Sequence, residues 1–296
     1  MTNLSPYRIS YSKAQAFKSC EMKFKYAHIE LHENNPKKPG LMPVNKAPAL
    51  VLGTLGHQIM EHAMKEIKET PFPYTQEACM LAANNAIVAG MAMENGHRTT
   101  EIMAQIIEFL VNRFPVLGWQ ILEVEKTFEL PIGTDAATGR PKVYPFTVDL
   151  VFMMNEAIYI TDWKFAADAY KQERQDVEPQ IPGYIGALRA LKINVVSGYY
   201  VFLRTRKMNN VEDQVVISPV KPNDVRIRRS FKEHMVTTDK IIKWEQSSEQ
   251  FATRNANNNC NYCDFSILCG IELRGDDATL MKRDDFVAND YGYEDL

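Results

Sequence analysis

The chain has 296 residues, 45% of them hydrophobic and 24% charged, with a formal net charge of −3. That balance is ordinary for a globular protein and excludes disordered, collagen-like and coiled-coil classes. At this length a core can bury roughly 70–75% of the unfolded surface, so no metal or cross-link is needed merely to hold the fold.

The first residues, Met1-Thr2-Asn3-Leu4-Ser5-Pro6, lack a basic stretch followed by an apolar one, so no secretory signal is expected. Five cysteines without such a signal argue against a disulfide framework and point to the cytoplasm, that of a host cell if the chain is phage-encoded. Residues 10–30 read as a helix with Ala14, Phe17, Phe24 and Tyr26 among its apolar positions. Glu33 to Pro48, with four prolines and a glycine, reads as a loop. A helix is expected from about Thr54 to Glu69, and two more between Pro73 and Arg113. From Ile121 the character changes: 121–130, 143–154, 158–164, 195–203 and 215–218 are rich in β-branched and aromatic residues and read as strands. Helical patterns return between Pro179 and Lys192 and between Asn223 and Ser248. The most apolar run, Val195 to Leu203, falls far short of the roughly 20 residues that span a bilayer, so no membrane partner is expected. After Gly275 seven acidic residues stand against Lys282 and Arg283, a net of −5 that leaves +2 for the rest. The body is slightly basic and residues 275–296 form an acidic tail, expected to be flexible and a candidate surface for a protein partner.

The strongest local chemistry lies in Phe146-Thr-Val-Asp149-Leu-Val-Phe152 and Ile158-Tyr-Ile-Thr-Asp162-Trp-Lys164. Alternation along a strand sends Asp162 and Lys164 to one face. A hairpin turning at Asn155-Glu156 would set Asp149 directly opposite Asp162 on that face, with Cβ atoms about 4.5–5.5 Å apart. Two facing carboxylates repel unless a cation lies between them, and oxygen ligands suit Mg²⁺ or Mn²⁺. Two carboxylates and an amine among apolar neighbours suit metal-assisted phosphodiester hydrolysis, with Lys164 orienting or activating the nucleophile. On the helix from Thr54, Leu55, Ile59, Ala63 and Ile67 centre the apolar face and His57 lies roughly 140° from it. Glu61, one turn on, could support His57. Glu125 is a candidate for the acidic rim. Pro179 and Pro182 place a helix start near Gln180 and Tyr184, an i, i+4 pair, and that helix end could hold a phosphate.

Cys260-x₂-Cys263-x₅-Cys269 gathers three of the five thiols, a grouping that suggests metal ligation. Cys79, on an apolar helix, reads as a core thiol. Arg204, Arg206, Arg228 and Arg229 are candidate phosphate contacts, although such runs are most often solvated faces. Tyr7, Phe24 and Tyr26 could stack unpaired bases, or simply pack in the core.

Asp149 followed by Asp162-x-Lys164 resembles the PD-(D/E)XK nuclease superfamily, and Asp-Trp-Lys-Phe resembles its RecB-like branch. Gly53-Thr-Leu-Gly-His57 resembles the branch's upstream motif, and Gln180-Ile-Pro-Gly-Tyr184 its Gln-x-x-x-Tyr motif. The context Ser10-Tyr-Ser-Lys-Ala-Gln-Ala-Phe17-Lys-Ser-Cys20 and the C-terminal cysteines resemble the iron–sulfur class, with Glu21 departing from the proline common there. The resemblance runs from Ser10 to Cys269. It implies a restriction-endonuclease-like α/β fold, a mixed sheet flanked by helices. It also implies His57, Asp149 and Asp162 as Mg²⁺ or Mn²⁺ ligands, with Lys164, Gln180 and Tyr184 completing the catalytic set. Cys20 is implied as fourth ligand of a 4Fe–4S cluster, with zinc as the alternative for four thiolates. The expected plan is a helical layer over 1–120, a nuclease core over 121–250, an iron–sulfur lobe over 251–274 and the tail. The implied activity is exonucleolytic cleavage of DNA at single-stranded or frayed ends, in recombination, replication or repair. The alternatives are a non-catalytic iron–sulfur DNA-binding subunit and an end-processing nuclease for CRISPR spacer acquisition.

Overall fold

The computed structural model describes residues 5–247 and 251–289. In chain order, β1 (Tyr7–Arg8) leads into α1 (Tyr11–Ser19), whose first turn is capped by Ser10 Oγ accepting from the Lys13 N–H at 3.2 Å. The single helix expected over 10–30 is broken at Cys20, which is extended (φ −169°, ψ 121°), and α2 (Glu21–His28) starts afresh. Neither glycine nor proline marks that break, and helix-compatible residues on both sides hide it. The stretch read as a loop carries three short strands, β2 (Leu31–His32), β3 (Asn35–Pro39) and β4 (Leu41–Pro43). Pro39 and Pro43 are the last residues of their strands, where a missing N–H is tolerated.

Next come α3 (Pro48–Lys68), α4 (Gln76–Met91) and α5 (Met103–Ile107), the last running on through a π-helical turn at Glu108–Arg113. The five expected strands follow as β5 (Gln120–Thr134), β6 (Pro141–Met154), β7 (Ala157–Ala166), β8 (Val195–Arg204) and β9 (Val215–Val220). Between β7 and β8 the chain makes α6 (Gln172–Val177) and α7 (Gln180–Ala190). It ends through α8 (Asp224–Gln246), α9 (Ser266–Arg274), α10 (Thr279–Asp285) and β10 (Phe286–Ala288).

Two compact units result. One comprises Pro48–Phe128 and Thr147–Phe231; the other comprises Met1–Ala47, Glu129–Phe146 and Lys232–Leu296. In the first, β6 and β7 are antiparallel with Leu150 opposite Thr161 and Met154 opposite Ala157, the expected register. The turn residues Asn155 and Glu156 have φ of 50° and 62°, the left-handed pair of a type I′ turn. β7 pairs with β8 in parallel, and β8 with β9 antiparallel. The sheet is therefore mixed. The helices expected as a separate layer share one core with these strands: Leu55, Ile59, Ala63 and Ile67 of α3 and Cys79 of α4 are buried with Phe109, Trp119, Phe152, Trp163 and Val201.

The second unit has two smaller cores. Ile9, Ala14, Phe17 and Phe24 pack with Ile241, while Met22, Tyr26 and Leu41 pack with Phe265, Leu268 and Phe286. Tyr7, Phe24 and Tyr26 are thus core residues and not stacking platforms. Among its described residues, 275–289, the acidic tail carries α10 and β10. Lys282 of α10 lies 2.7 Å from Glu30 and 2.8 Å from Glu272, Phe286 stacks on Phe265, and β10 pairs with β4. Its basic and apolar residues anchor it, despite the net charge. The last acids of the tail, Asp290, Glu294 and Asp295, lie outside the described residues. Among the described residues no helix is long and apolar enough to cross a membrane.

Candidate active site

The site lies wholly within the first unit, where α3, β5, the β6–β7 hairpin and α7 converge. One step along the hairpin register sets Asp149 beside Asp162, and the Trp163 N–H donates to Asp149 Oδ2 at 2.7 Å. Asp162 is 5% exposed, and its Oδ2 lies 2.6 Å from Lys164 Nζ. Lys164 also donates to Gln180 Oε1 at 3.0 Å, and Gln180 Nε2 lies 3.5 Å from the Tyr184 hydroxyl. Gln180 opens α7 and Tyr184 follows one turn later, so the i, i+4 spacing becomes a continuous chain of polar contacts.

His57 points from the non-core side of α3 and brings Nδ1 to 3.6 Å from both Glu125 Oε1 and Asp149 Oδ2. Among the described residues, His57, Glu125 and Asp149 are the one group of three metal-type side chains whose ligand atoms lie within 4.8 Å of one another. Glu125, a rim candidate in the sequence, joins this group and adopts φ 46° within β5, while Asp162, the expected third ligand, stands beside Asp149 with Lys164 on its Oδ2. A left-handed residue inside a strand breaks the side-chain alternation and re-aims the carboxylate. Glu61, expected to support His57, instead pairs with Lys65 at 2.6 Å.

The electrostatics describe a site built for a cation. Burial alone would pull the His57 imidazole down, but Asp149, Glu125 and Asp162 outweigh it and push it up to about 9. Asp149 is raised, first by burial and then by the neighbouring Asp162 and Glu125 charges, against the opposing effect of His57. Burial likewise disfavours the Lys164 ammonium, yet Asp162 raises its pKa above the ordinary lysine value. Glu125 Oε1 is buried without a hydrogen-bond partner. The raised His57 and Asp149 pKa values mark a shortage of positive charge at the spot that the buried Glu125 Oε1 also faces. The donor set, one imidazole and two carboxylates, fits a divalent ion.

An open cavity of about 480 Å³ borders His57, Glu125 and Lys164, with Gly53 and Thr54 of the His57 motif on its wall. Sequence reasoning missed Phe165 there. Its ring lies 6.0 Å from the His57 ring and occupies the space that a side chain on Gly56 would need. Of the candidate DNA contacts, Arg204 is bound to the Asp213 carbonyl at 3.3 Å and braces the turn after β8. Arg206 pairs with Asp168 at 2.6 Å, while Arg228 and Arg229 are exposed on α8.

In the other unit, Cys20, Cys260, Cys263 and Cys269 line one cavity of about 450 Å³. Among the described residues no three of these sulfurs lie within 4.8 Å of one another. A zinc tetrahedron would set them about 3.8 Å apart. Cys79 is fully buried in the first unit.

The match to known families covers most of this arrangement. The chain belongs to the PD-(D/E)XK nuclease superfamily, which it matches over residues 8–270. It is therefore of a class of hydrolytic, divalent-metal nucleases. Among solved structures it is similar to SSO0001, at 14% identity over 74% of this chain and 96% of that one, with a TM-score of 0.34. It is also similar to a candidate exonuclease from Eubacterium rectale, at 14% identity over 88% and 87% of the two chains, with a TM-score of 0.42. No curated protein matches it.

Proposed function

We propose that the chain is a DNA exonuclease of the RecB-like iron–sulfur branch, dependent on Mg²⁺ or Mn²⁺ and acting on single-stranded or frayed ends. The observation that carries this reading is the convergence of His57, Glu125 and Asp149 beside the Asp162–Lys164–Gln180 chain. Those three side chains would hold the ion, with Asp162 alongside. Bound there, a divalent ion supplies a Lewis acid that polarises the phosphate and lowers the pKa of water. The protein's own groups do the positioning. Asp162 and Gln180 fix the Lys164 ammonium from two sides, leaving it to hold a non-bridging phosphate oxygen or orient the attacking water. Tyr184 fixes Gln180 in turn.

The preference for DNA ends rests on the resemblance carried by His57 and the Gln180-Ile-Pro-Gly-Tyr184 motif. The iron–sulfur assignment rests on the resemblance carried by Cys20 and Cys260-x₂-Cys263-x₅-Cys269, four thiols that line one cavity. A non-catalytic DNA-binding subunit is disfavoured because the carboxylates, histidine and lysine remain converged. End-labelled single- and double-stranded DNA incubated with Mg²⁺ or Mn²⁺ tests the reading. Asp162→Ala and Lys164→Ala are expected to lower cleavage by about 10²–10³ or more while DNA binding persists. Undiminished cleavage in both variants would remove the site. Degradation of a covalently closed circle would replace the exonuclease with an endonuclease.

A further inference from the structure

The thiol cavity is edged by a tripeptide, Thr253-Arg254-Asn255, that nothing in the sequence marks as functional. Each of its residues touches the thiol site or the turn that carries Cys20. The Arg254 Nε–H donates to Cys269 Sγ at 3.2 Å. The Thr253 carbonyl accepts the Met22 N–H at 3.1 Å and lies 3.8 Å from Cys20 Sγ. The Asn255 side chain donates to the Ser19 carbonyl at 3.0 Å. Glu21 closes the arrangement, accepting from both the Thr253 N–H at 2.9 Å and its hydroxyl at 2.7 Å. The residue that departs from the family pattern after Cys20 thus anchors this strap.

We infer that Arg254, held in place by the Glu21–Thr253 clasp, is the positioning residue that sets the electrostatic state of a cluster on Cys20, Cys260, Cys263 and Cys269. The inference rests on the iron–sulfur reading. A four-iron cluster on four thiolates is negatively charged, and one-electron reduction adds a further negative charge without making or breaking a bond. A guanidinium hydrogen-bonded to one of its sulfurs therefore stabilises the reduced form more than the oxidised form. Cys269 is the sulfur on which that effect falls.

The test is a potential, which a merely structural role would not move. Anaerobically purified wild-type protein is assayed for iron, and its cluster potential is measured by electrode titration. In Arg254→Gln the reduced-to-oxidised ratio at fixed potential is expected to fall threefold to tenfold, a lowering of about 28–59 mV at 59 mV per decade. Arg274→Gln, which removes a charge from the same lobe where Arg274 pairs with Asp276, is expected to leave the potential unchanged. An unchanged potential in Arg254→Gln, or an equal shift in Arg274→Gln, overturns the inference and leaves the cluster reading intact. Iron-free wild-type protein overturns both. Should Arg254→Gln fail to load, Arg254→Lys carries the test: it keeps the charge but loses the fixed fork. A smaller lowering is then expected, and a potential at or above wild type overturns the assignment.

Discussion

Glu125 holds a left-handed backbone conformation in the middle of a strand, at φ 46°. Such a conformation costs a non-glycine residue of order 1–3 kcal/mol and persists only where the surroundings enforce it. Here it turns a carboxylate toward His57 and Asp149, so the strain is tied to the cation site. Glu125→Gln keeps the shape and removes the charge. It is expected to raise the Mg²⁺ or Mn²⁺ concentration for half-maximal cleavage by about 10–100-fold, read from metal titrations; an unaltered metal dependence would return Glu125 to the rim. His234 in α8 shows the opposite use of burial. It stacks on Tyr144 at 3.7 Å, and burial lowers its pKa to about 4. Above pH 6.5 both folded and unfolded chains leave it neutral. As pH falls from 6.5 toward 4, only the unfolded chain takes up the proton, so stability drops by at most about 3 kcal/mol. Urea melts across that range should therefore be less pH-sensitive for His234→Phe than for wild type, and parallel curves would refute the assignment.

At the scale of elements, α3 explains the glycines of its own motif. A Cβ on Gly56 would lie 2.4 Å from the Phe165 ring of β7, whereas one on Gly53 would meet nothing within 4 Å. Gly56 is thus required by the close approach of helix and strand, and Gly53 borders the cavity over the site. Gly56→Ala is expected to destabilise by about 1–3 kcal/mol through overpacking and to shift Phe165 against His57. Gly53→Ala should be neutral to stability or raise it by up to about 1 kcal/mol, while impeding DNA. Chemical denaturation separates the two, and equal losses would refute this account. The same elements show where sequence is legible. The β6–β7 register could be read because apolar alternation and a two-residue turn fix it together. The burial of α3 could be read because four apolar residues recur at helical spacing. The break at Cys20 and the turned carboxylate of Glu125 could not, since both are backbone departures that residue type does not announce. β4 and β10 were hidden by proline-rich and acidic composition, because they pair with each other across segments far apart in sequence, while β3 pairs locally with β2 inside a proline-rich stretch.

At the scale of the molecule, one unit is assembled from three separated stretches of chain and the other from two. The four thiols all belong to the three-stretch unit, with Cys20 in its first stretch and the other three in its last. Losing either end of that link should be equivalent. Cys20→Ala and Cys263→Ala are expected to lose iron to the same extent and to destabilise the unit by several kcal/mol, whereas Cys79→Ala keeps its iron. Iron analysis with thermal melts checks this, and full iron in Cys20→Ala would place the fourth ligand elsewhere. The division of the chain also imposes an order in time. Emerging from the ribosome, the nuclease-bearing unit has all its residues once Phe231 is made, but the thiol-bearing unit does not. At roughly 5–20 residues per second, the nascent Cys20 waits many seconds before Cys269 exists. On the iron–sulfur reading, a group held by all four sulfurs can be delivered only after Cys269 has been made.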